Sequence, residues 1–283
     1  MDKKSAYTEF YKLTTEDGSL TDEQIGVLVL NRPHAANAFD NNMIKDITHE
    51  LKKVQDNSLC RLLVIQGTSR YFSAGSDLEW MKRTSELPFD ENLKEANDML
   101  KMFEAIANLP IPTISVVHGT AYGGGVGIIA ATDYAIASSS TAFCISETTI
   151  GLMPSVILPY LNRKMNHGQL LRLILSGRKF DAKEAKEYGL VEVLSEVDDL
   201  EKTLHDEVNQ LLKASPFAQS YFKNLQSFLR DSSFQQSDET AKRISEIRAS
   251  SSGKEGLKAF LEKKAYPWVL KLDEEKKLLR YEL

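Results

Sequence analysis

Three consecutive glycines, Gly123, Gly124 and Gly125, stand between the apolar run "PTISVV" and the apolar stretch "VGIIAA". Glycine loses more backbone freedom on ordering than any other residue. A run of them therefore points to positive φ, to close approach of another group, or to peptide N–H groups left bare for a ligand. A phosphate-binding P-loop needs Gly-Lys-Ser/Thr at this place, and no such tripeptide follows. Gly125-Val-Gly127-Ile-Ile-Ala130 satisfies GxGxxA, and Glu147 lies 20 residues beyond Gly127, the acid spacing of a dinucleotide fold. That acid should end the second strand of a βαβ unit, whereas Glu147 sits in "CISETTIGLMP", a segment running into proline. A nicotinamide-dependent oxidoreductase stays open on this spacing. The third reading is anionic: bare N–H groups at a helix start, aided by the macrodipole, would stabilise a developing oxyanion. Such a hole works best with a second donor, and "FSAGSD", small residues after a strand-like run, offers one.

Positioning these loops requires strands before them and helices around them. "IGVLVLNRP" reads as a buried strand closed by an Asn-Arg-Pro turn, and "RLLVIQG" and "TISVV" as further strands. From Asp40, a good N-cap, Met43, Ile44, Ile47, Leu51 and Val54 fall on one helical face. Leu93, Ala96, Leu100, Phe103 and Ala107 mark a second amphipathic helix, ended by "LPIP". The succession predicts an α/β architecture. Beyond residue 200 the pattern turns helical and more charged, so the chain divides into a core over 1–200 and a C-terminal helical region over 201–283; the tail from Val269 reads as a charged helix.

Composition narrows the partners. At 283 residues, 42% hydrophobic and 27% charged, the chain can bury a large core, and its net charge of -5 gives no general attraction for nucleic acid or anionic membranes. Cys60 and Cys144 lie in strand-like segments without metal-ligand neighbours and read as buried free thiols in a reducing compartment. "MDKKSAYTEFYKLTTEDG" has no apolar h-region, and no run approaches membrane-spanning length, so a cytoplasmic location is expected. His118 reads as a packed strand-end residue, since no Ser or Cys nucleophile motif accompanies it.

Five segments in order, "LNRPHAANAF", "FSAGSDL", "GTAYGGGVG", "SETTIGLMP" and "SGRKFDAKEAKEYGLVEVL", resemble the enoyl-CoA hydratase/isomerase family, the crotonase superfamily, over roughly residues 20–195. The resemblance implies a crotonase-like spiral of ββα units with a C-terminal helical region that covers the site and forms a homotrimer or homohexamer. It implies an acyl-CoA substrate, the CoA being part of the substrate, and calls for no metal or redox cofactor. By the family pattern the two oxyanion donors are the N–H groups of Ser76 and Gly124, a Cβ at Gly124 would obstruct the thioester, and the general acid/base is Glu147. Burial of Glu147 against "IGLMP" is expected to raise its pKa. CoA contacts fall on Arg32, His34, Ala35 and Ala74, with Lys263 and Lys264 reaching CoA, within the chain or across to a neighbouring subunit.

The main departure is Gly127, which stands where two-acid hydratases carry a second glutamate. "FSAGSDLEWMKR", "ENLKEA", "YGGGVGIIAATD" and "SETTIGLMPSVILPY" resemble the bacterial methylglutaconyl-CoA hydratase branch, where glycine is common at that place; the dehydratases of polyketide β-branching are also similar. A branched, carboxylated enoyl thioester is the implied substrate, with hydration as the reaction. A 3,2-enoyl-CoA isomerase using one glutamate and a non-catalytic acyl-CoA-binding homologue are the alternatives. Asp77 is expected to brace the first oxyanion loop, and Lys82 and Arg83 either pair with a substrate carboxylate or form a solvated helix face.

Overall fold

A computed structural model describes residues 4–231 and 244–281. β2 (Leu20–Leu30), β3 (Cys60–Gly67), β4 (Thr113–Val117), β6 (Tyr134–Ser138) and β9 (Val193–Ser195) run parallel in that spatial order. β1 (Ala6–Thr14) pairs antiparallel with β2, from Ala6 opposite Leu30 to Thr14 opposite Leu20. β1 is absent from the sequence reading because "AYTEFYKLT" has no apolar run; it is a half-exposed edge strand held by its ladder. A second sheet holds β5 (Thr120–Tyr122), β7 (Ala142–Cys144) and β8 (Lys179–Asp181).

The continuous apolar character of β2, β3 and β4 follows from cover on both faces of the sheet. Alternate residues go to different cores: Leu28, Leu30, Leu63, Ile65 and Val117 to one, Val27, Val29, Leu62, Val64 and Val116 to the other. The first core lies under α1 (Asn41–Asp56), α3 (Phe89–Ala107) and α4 (Gly124–Ala131). Asp40 caps α1 as expected, accepting from the Met43 N–H at 2.8 Å. Every residue of α4 is buried, and α5 (Leu158–Lys164) and α6 (His167–Ser176) pack outside it.

The second core is built by α8 (Leu200–Leu212), which follows the short α7 (Ala182–Glu187), together with the C-terminal tail. Leu200, Leu204, Val208 and Leu212 lie against the sheet, so packing runs unbroken across residue 200. The tail departs from the expected charged helix: it crosses the sheet without regular structure, burying Leu270, Leu272, Leu278 and Leu279. Buried Gln66 donates to the Leu278 carbonyl at 2.7 Å and accepts from the Arg280 N–H at 2.9 Å, while Glu201 accepts the Leu279 N–H. An uncovered apolar sheet face and a buried amide override helix propensity here. α9 (Pro216–Asp231) and α10 (Ser251–Glu262) pack on one another. Among the described residues, no helix is long and apolar enough to cross a membrane.

Candidate active site

The loops that leave the C-terminal ends of β2, β3 and β4 meet at one place. Asn37, fully buried with φ of 53°, donates to the carbonyls of Thr68 and Tyr71 and accepts from the Arg32 N–H, tying the first two loops together. Ser73 pairs with Ala121, and Phe39 pairs with Ser76, so all three loops lie edge to edge. The Phe39 N–H donates to the Gly75 carbonyl at 2.7 Å and the Asp77 N–H to the Phe39 carbonyl at 2.9 Å. The Ser76 N–H, between these bonds, has no hydrogen-bond partner among the described residues. Nor has the N–H of Gly124, the first residue of α4. The two loops are in contact just before these donors: a Cβ at Gly75 would lie 3.6 Å from the Gly123 Cα.

Glu147 opens a short 3-10 turn, Glu147–Ile150, after β7, not the end of a strand as a dinucleotide fold requires. Its carboxylate lies over the glycine loop, where a Cβ on Gly123 would meet Oε1 at 3.1 Å. Oε2 is buried without a hydrogen-bond partner. Burial pushes the Glu147 carboxyl above the ordinary carboxylate range, and a hydrogen bond from its own backbone offsets only part of this. Ile150, Leu152 and Met153 of the "IGLMP" segment are themselves largely exposed, and the glycine loop lies against the carboxylate.

The triplet now has a residue-by-residue account. Gly123, at φ of 45°, is the only one of the three in the left-handed region, and it admits the Glu147 carboxylate. A Cβ on Gly124 would meet the Phe39 ring at 3.0 Å, so within the protein itself the core already crowds a side chain there. Gly127 is a closer case: its Cβ would lie 2.3 Å from Ile157 Cγ2 and 3.0 Å from Phe103 Cε1. The space that a second glutamate would enter is filled by two buried apolar side chains. Phe39, Phe103 and Ile157 thus shape the site; Phe39 and Ile157 lie inside the quoted segments and Phe103 on the expected helix face, but none of the three was legible as a site-lining residue.

Arg32 directs its guanidinium inward, to Asp77 at 3.1 Å and Asp40 at 3.2 Å, joining the N-caps of α1 and of α2 (Leu78–Ser85). Asp77 also accepts from the Glu79 and Trp80 N–H groups and so braces the loop behind Ser76. His34 is exposed and Ala35 partly so, in a 3-10 turn (Pro33–Ala35). Exposed Ala74 donates its N–H to the Ala36 carbonyl at 2.9 Å, which brings Ala35 and Ala74 onto neighbouring stretches. Arg83 is held by Glu95. His118 is 3% exposed, hydrogen-bonded through Nε2 to the Ser69 carbonyl and stacked on Tyr281, with burial lowering its pKa. Cys60 and Cys144 are buried and unpaired.

Lys263 and Lys264 end α10 elsewhere. Lys264 lines a cavity of about 490 Å³ with Glu16, Lys213 and Lys271, and Lys271 pairs with Thr14 at the Leu20 end of the β1–β2 ladder. The 11-residue β2 separates that end from the Leu30 end, roughly 35 Å at about 3.3 Å per residue. Lys264 thus lies toward the Leu20 end of β2, and Ala35 follows its Leu30 end.

Comparison with known proteins follows the same lines. The enoyl-CoA hydratase/isomerase family model matches residues 21–271. The crystal structure of an enoyl-CoA hydratase from Shewanella pealeana superposes with a TM-score of 0.82 at 34% identity, covering 92% of this chain and 95% of that one. A putative enoyl-CoA hydratase/isomerase from Legionella pneumophila gives 0.80 at 33% identity, covering 92% and 99%. A putative enoyl-CoA hydratase of Thermus thermophilus is 26% identical over 241 residues, 85% of this chain and 95% of its own length.

Proposed function

The chain belongs to the enoyl-CoA hydratase/isomerase family, and on that premise we propose that it catalyses reversible hydration of a branched, carboxylated 2-enoyl-CoA of the methylglutaconyl type. Ser76 and Gly124 hold the thioester oxygen through their N–H groups as the enolate forms, each donor contributing about 3–4 kcal/mol to lowering the barrier. Glu147 takes a proton from water as the oxygen adds to the β carbon and delivers it to the α carbon. The observation that carries this reading is the half-buried Glu147, its Oε2 enclosed without a partner, lying on the loop that presents the unengaged Gly124 N–H. A carboxyl with a raised pKa exchanges protons more readily with a weakly acidic carbon centre.

CoA approaches past His34, Ala35 and Ala74, with Arg32 shaping that turn from within. In a homotrimer or homohexamer, Lys263 and Lys264 reach the CoA phosphates of a neighbouring copy, a reading supported by their distance from Ala35 along their own sheet. No metal or redox cofactor enters this scheme. Ile157 in the place of a second acid favours one alternative, 3,2-enoyl-CoA isomerisation, in which a single carboxylate moves a proton between carbons.

The experiment measures absorbance change on straight, branched and carboxylated 2-enoyl- and 3-enoyl-CoAs, with Glu147→Gln beside the wild type. Turnover of carboxylated 2-enoyl substrates, lost about 10²–10⁴-fold in Glu147→Gln, is expected. Turnover of 3-enoyl substrates alone would replace hydration by isomerisation, and CoA binding without any turnover would make the protein a binding homologue.

A further inference from the structure

α2 directly follows the Ser76–Asp77 peptide, yet none of its residues is buried, and Leu78 is 79% exposed. An eight-residue helix has little stability of its own, so contacts from outside must set its orientation. Trp80 lends it partial apolar packing, and polar links supply the rest. At its start, Asp77 is held by Arg32. One turn further along, a single carboxylate from α3 gathers three elements: Glu95 accepts from Asn41 Nδ2 of α1 at 2.9 Å, from Trp80 Nε1 of α2 at 2.8 Å, and from Arg83 Nη2 of α2 at 2.7 and 2.8 Å. Burial alone would raise the Glu95 pKa; the Asn41, Arg83 and Trp80 donors outweigh it and hold the carboxyl below its usual range, so it is ionised at neutral pH.

We propose that Glu95 is a positioning residue for the reaction: by fastening α2 to α1 and α3 it fixes the plane of the peptide that carries the Ser76 N–H donor. The inference rests on the oxyanion-hole reading of Ser76 and Gly124. Arg32 and Glu95 both bridge α1 and α2, one joining their caps, the other their first turns. Phe39 grips the Gly75–Ser76 peptide from the α1 side through the Gly75 carbonyl, so releasing Glu95 lets α2 shift against α1, loads that pairing and turns the donor away from the thioester oxygen, while the CoA-side turns at Ala35 and Ala74 stay tied by their own hydrogen bonds.

The test uses 4-(dimethylamino)cinnamoyl-CoA, whose absorption band moves to longer wavelength when its thioester carbonyl accepts hydrogen bonds. With the full chain, Glu95→Ala is expected to lose at least about half of the wild-type red shift and to lower kcat about 10–100-fold, the scale of an ångström-level misplacement, with Kd for the probe changed less than about threefold. Glu95→Gln, which keeps the shape and one good acceptor oxygen, should fall between. Arg83→Met removes the Arg83 link while leaving the Asn41 and Trp80 hydrogen bonds to Glu95, and should also reduce the shift, so the question is answered even if Glu95→Ala fails to fold. Glu23→Gln, which breaks the Arg61 ion pair at the other end of β2, should keep the full shift. A full red shift in folded Glu95→Gln and Arg83→Met would overturn the proposal while leaving the oxyanion hole intact. A wild-type protein that leaves the probe unshifted would overturn both.

Discussion

Replacing Gly127 by alanine tests whether the place of a second acid is closed by packing. The added methyl would lie 2.3 Å from Ile157 Cγ2, against an ordinary carbon contact of about 3.5–4.0 Å, so one of the two must move by more than 1 Å. Ile157 is 3% exposed and Phe103 fully buried, which leaves no solvent to yield into. Overpacking of this kind costs about 1–3 kcal/mol. In the other direction, alanine gains about 1 kcal/mol over glycine within a helix. The net expectation is destabilisation by up to about 2 kcal/mol. Ile157→Leu removes the β-branch methyl at the point of conflict while conserving volume, and should cost less than about 1.5 kcal/mol alone. The double variant should recover at least about 1 kcal/mol relative to the sum of the single changes. Urea unfolding of the four proteins measures this cycle, read from midpoints at constant m. A stabilising Gly127→Ala, or a double variant that is merely additive, would show that α4 and α5 adjust freely and that the apolar closure argued here is not rigid. By the same geometry, Gly127→Glu should lower folded yield rather than create a second acid.

Three further outcomes follow from the site and the core. In the hydration direction Glu147 must start ionised, so the acid limb of kcat/KM should lie above the ordinary glutamate range, with activity falling as pH falls through that raised pKa; an acid limb in the unperturbed range would contradict the burial argument. A carboxyl whose pKa is higher in the folded than the unfolded state makes ionisation costly to the fold, so Glu147→Gln should raise Tm at pH 7–8, and the gain should shrink as pH falls through the raised folded-state pKa and vanish below the unfolded-state value. Thermal scans at several pH values check the sign. Gln66→Leu leaves the Leu278 carbonyl and the Arg280 N–H without partners and should destabilise by about 1–3 kcal/mol, with faster amide exchange from Leu278 to Arg280.

Much of the sheet was open to reading from sequence, because a parallel strand buried on both faces must be continuously apolar, as in "IGVLVL" and "RLLVIQG". The Asp40 cap and the periodicity of α1 and α3 are likewise local properties of the chain. β1 escaped because an edge strand is specified by its neighbour's free hydrogen bonds rather than by its own composition. The tail escaped for a related reason: Leu270, Leu272, Leu278 and Leu279 are drawn out of helix by a sheet face and a buried Gln66 that lie about 200 residues earlier in the chain.

At the site, the sequence by itself offered the glycine triplet and the small-residue turn as candidate N–H donors, and the family resemblance implied the roles proposed for Ser76, Gly124 and Glu147. Short-range chemistry suffices for the first, since bare N–H groups follow from glycine and from the start of a helix. Only the tertiary structure decided that Gly75 and Gly123 touch, that Gly123 lies against the Glu147 carboxylate, and that Ile157 and Phe103 fill the space beside Gly127. It also decided that Arg32 serves the N-caps of two helices and that Lys264 lies at the far end of the sheet. Each of these is a through-space contact between segments tens of residues apart, set by how strands of different length and register align, and no local pattern of residues encodes such an alignment.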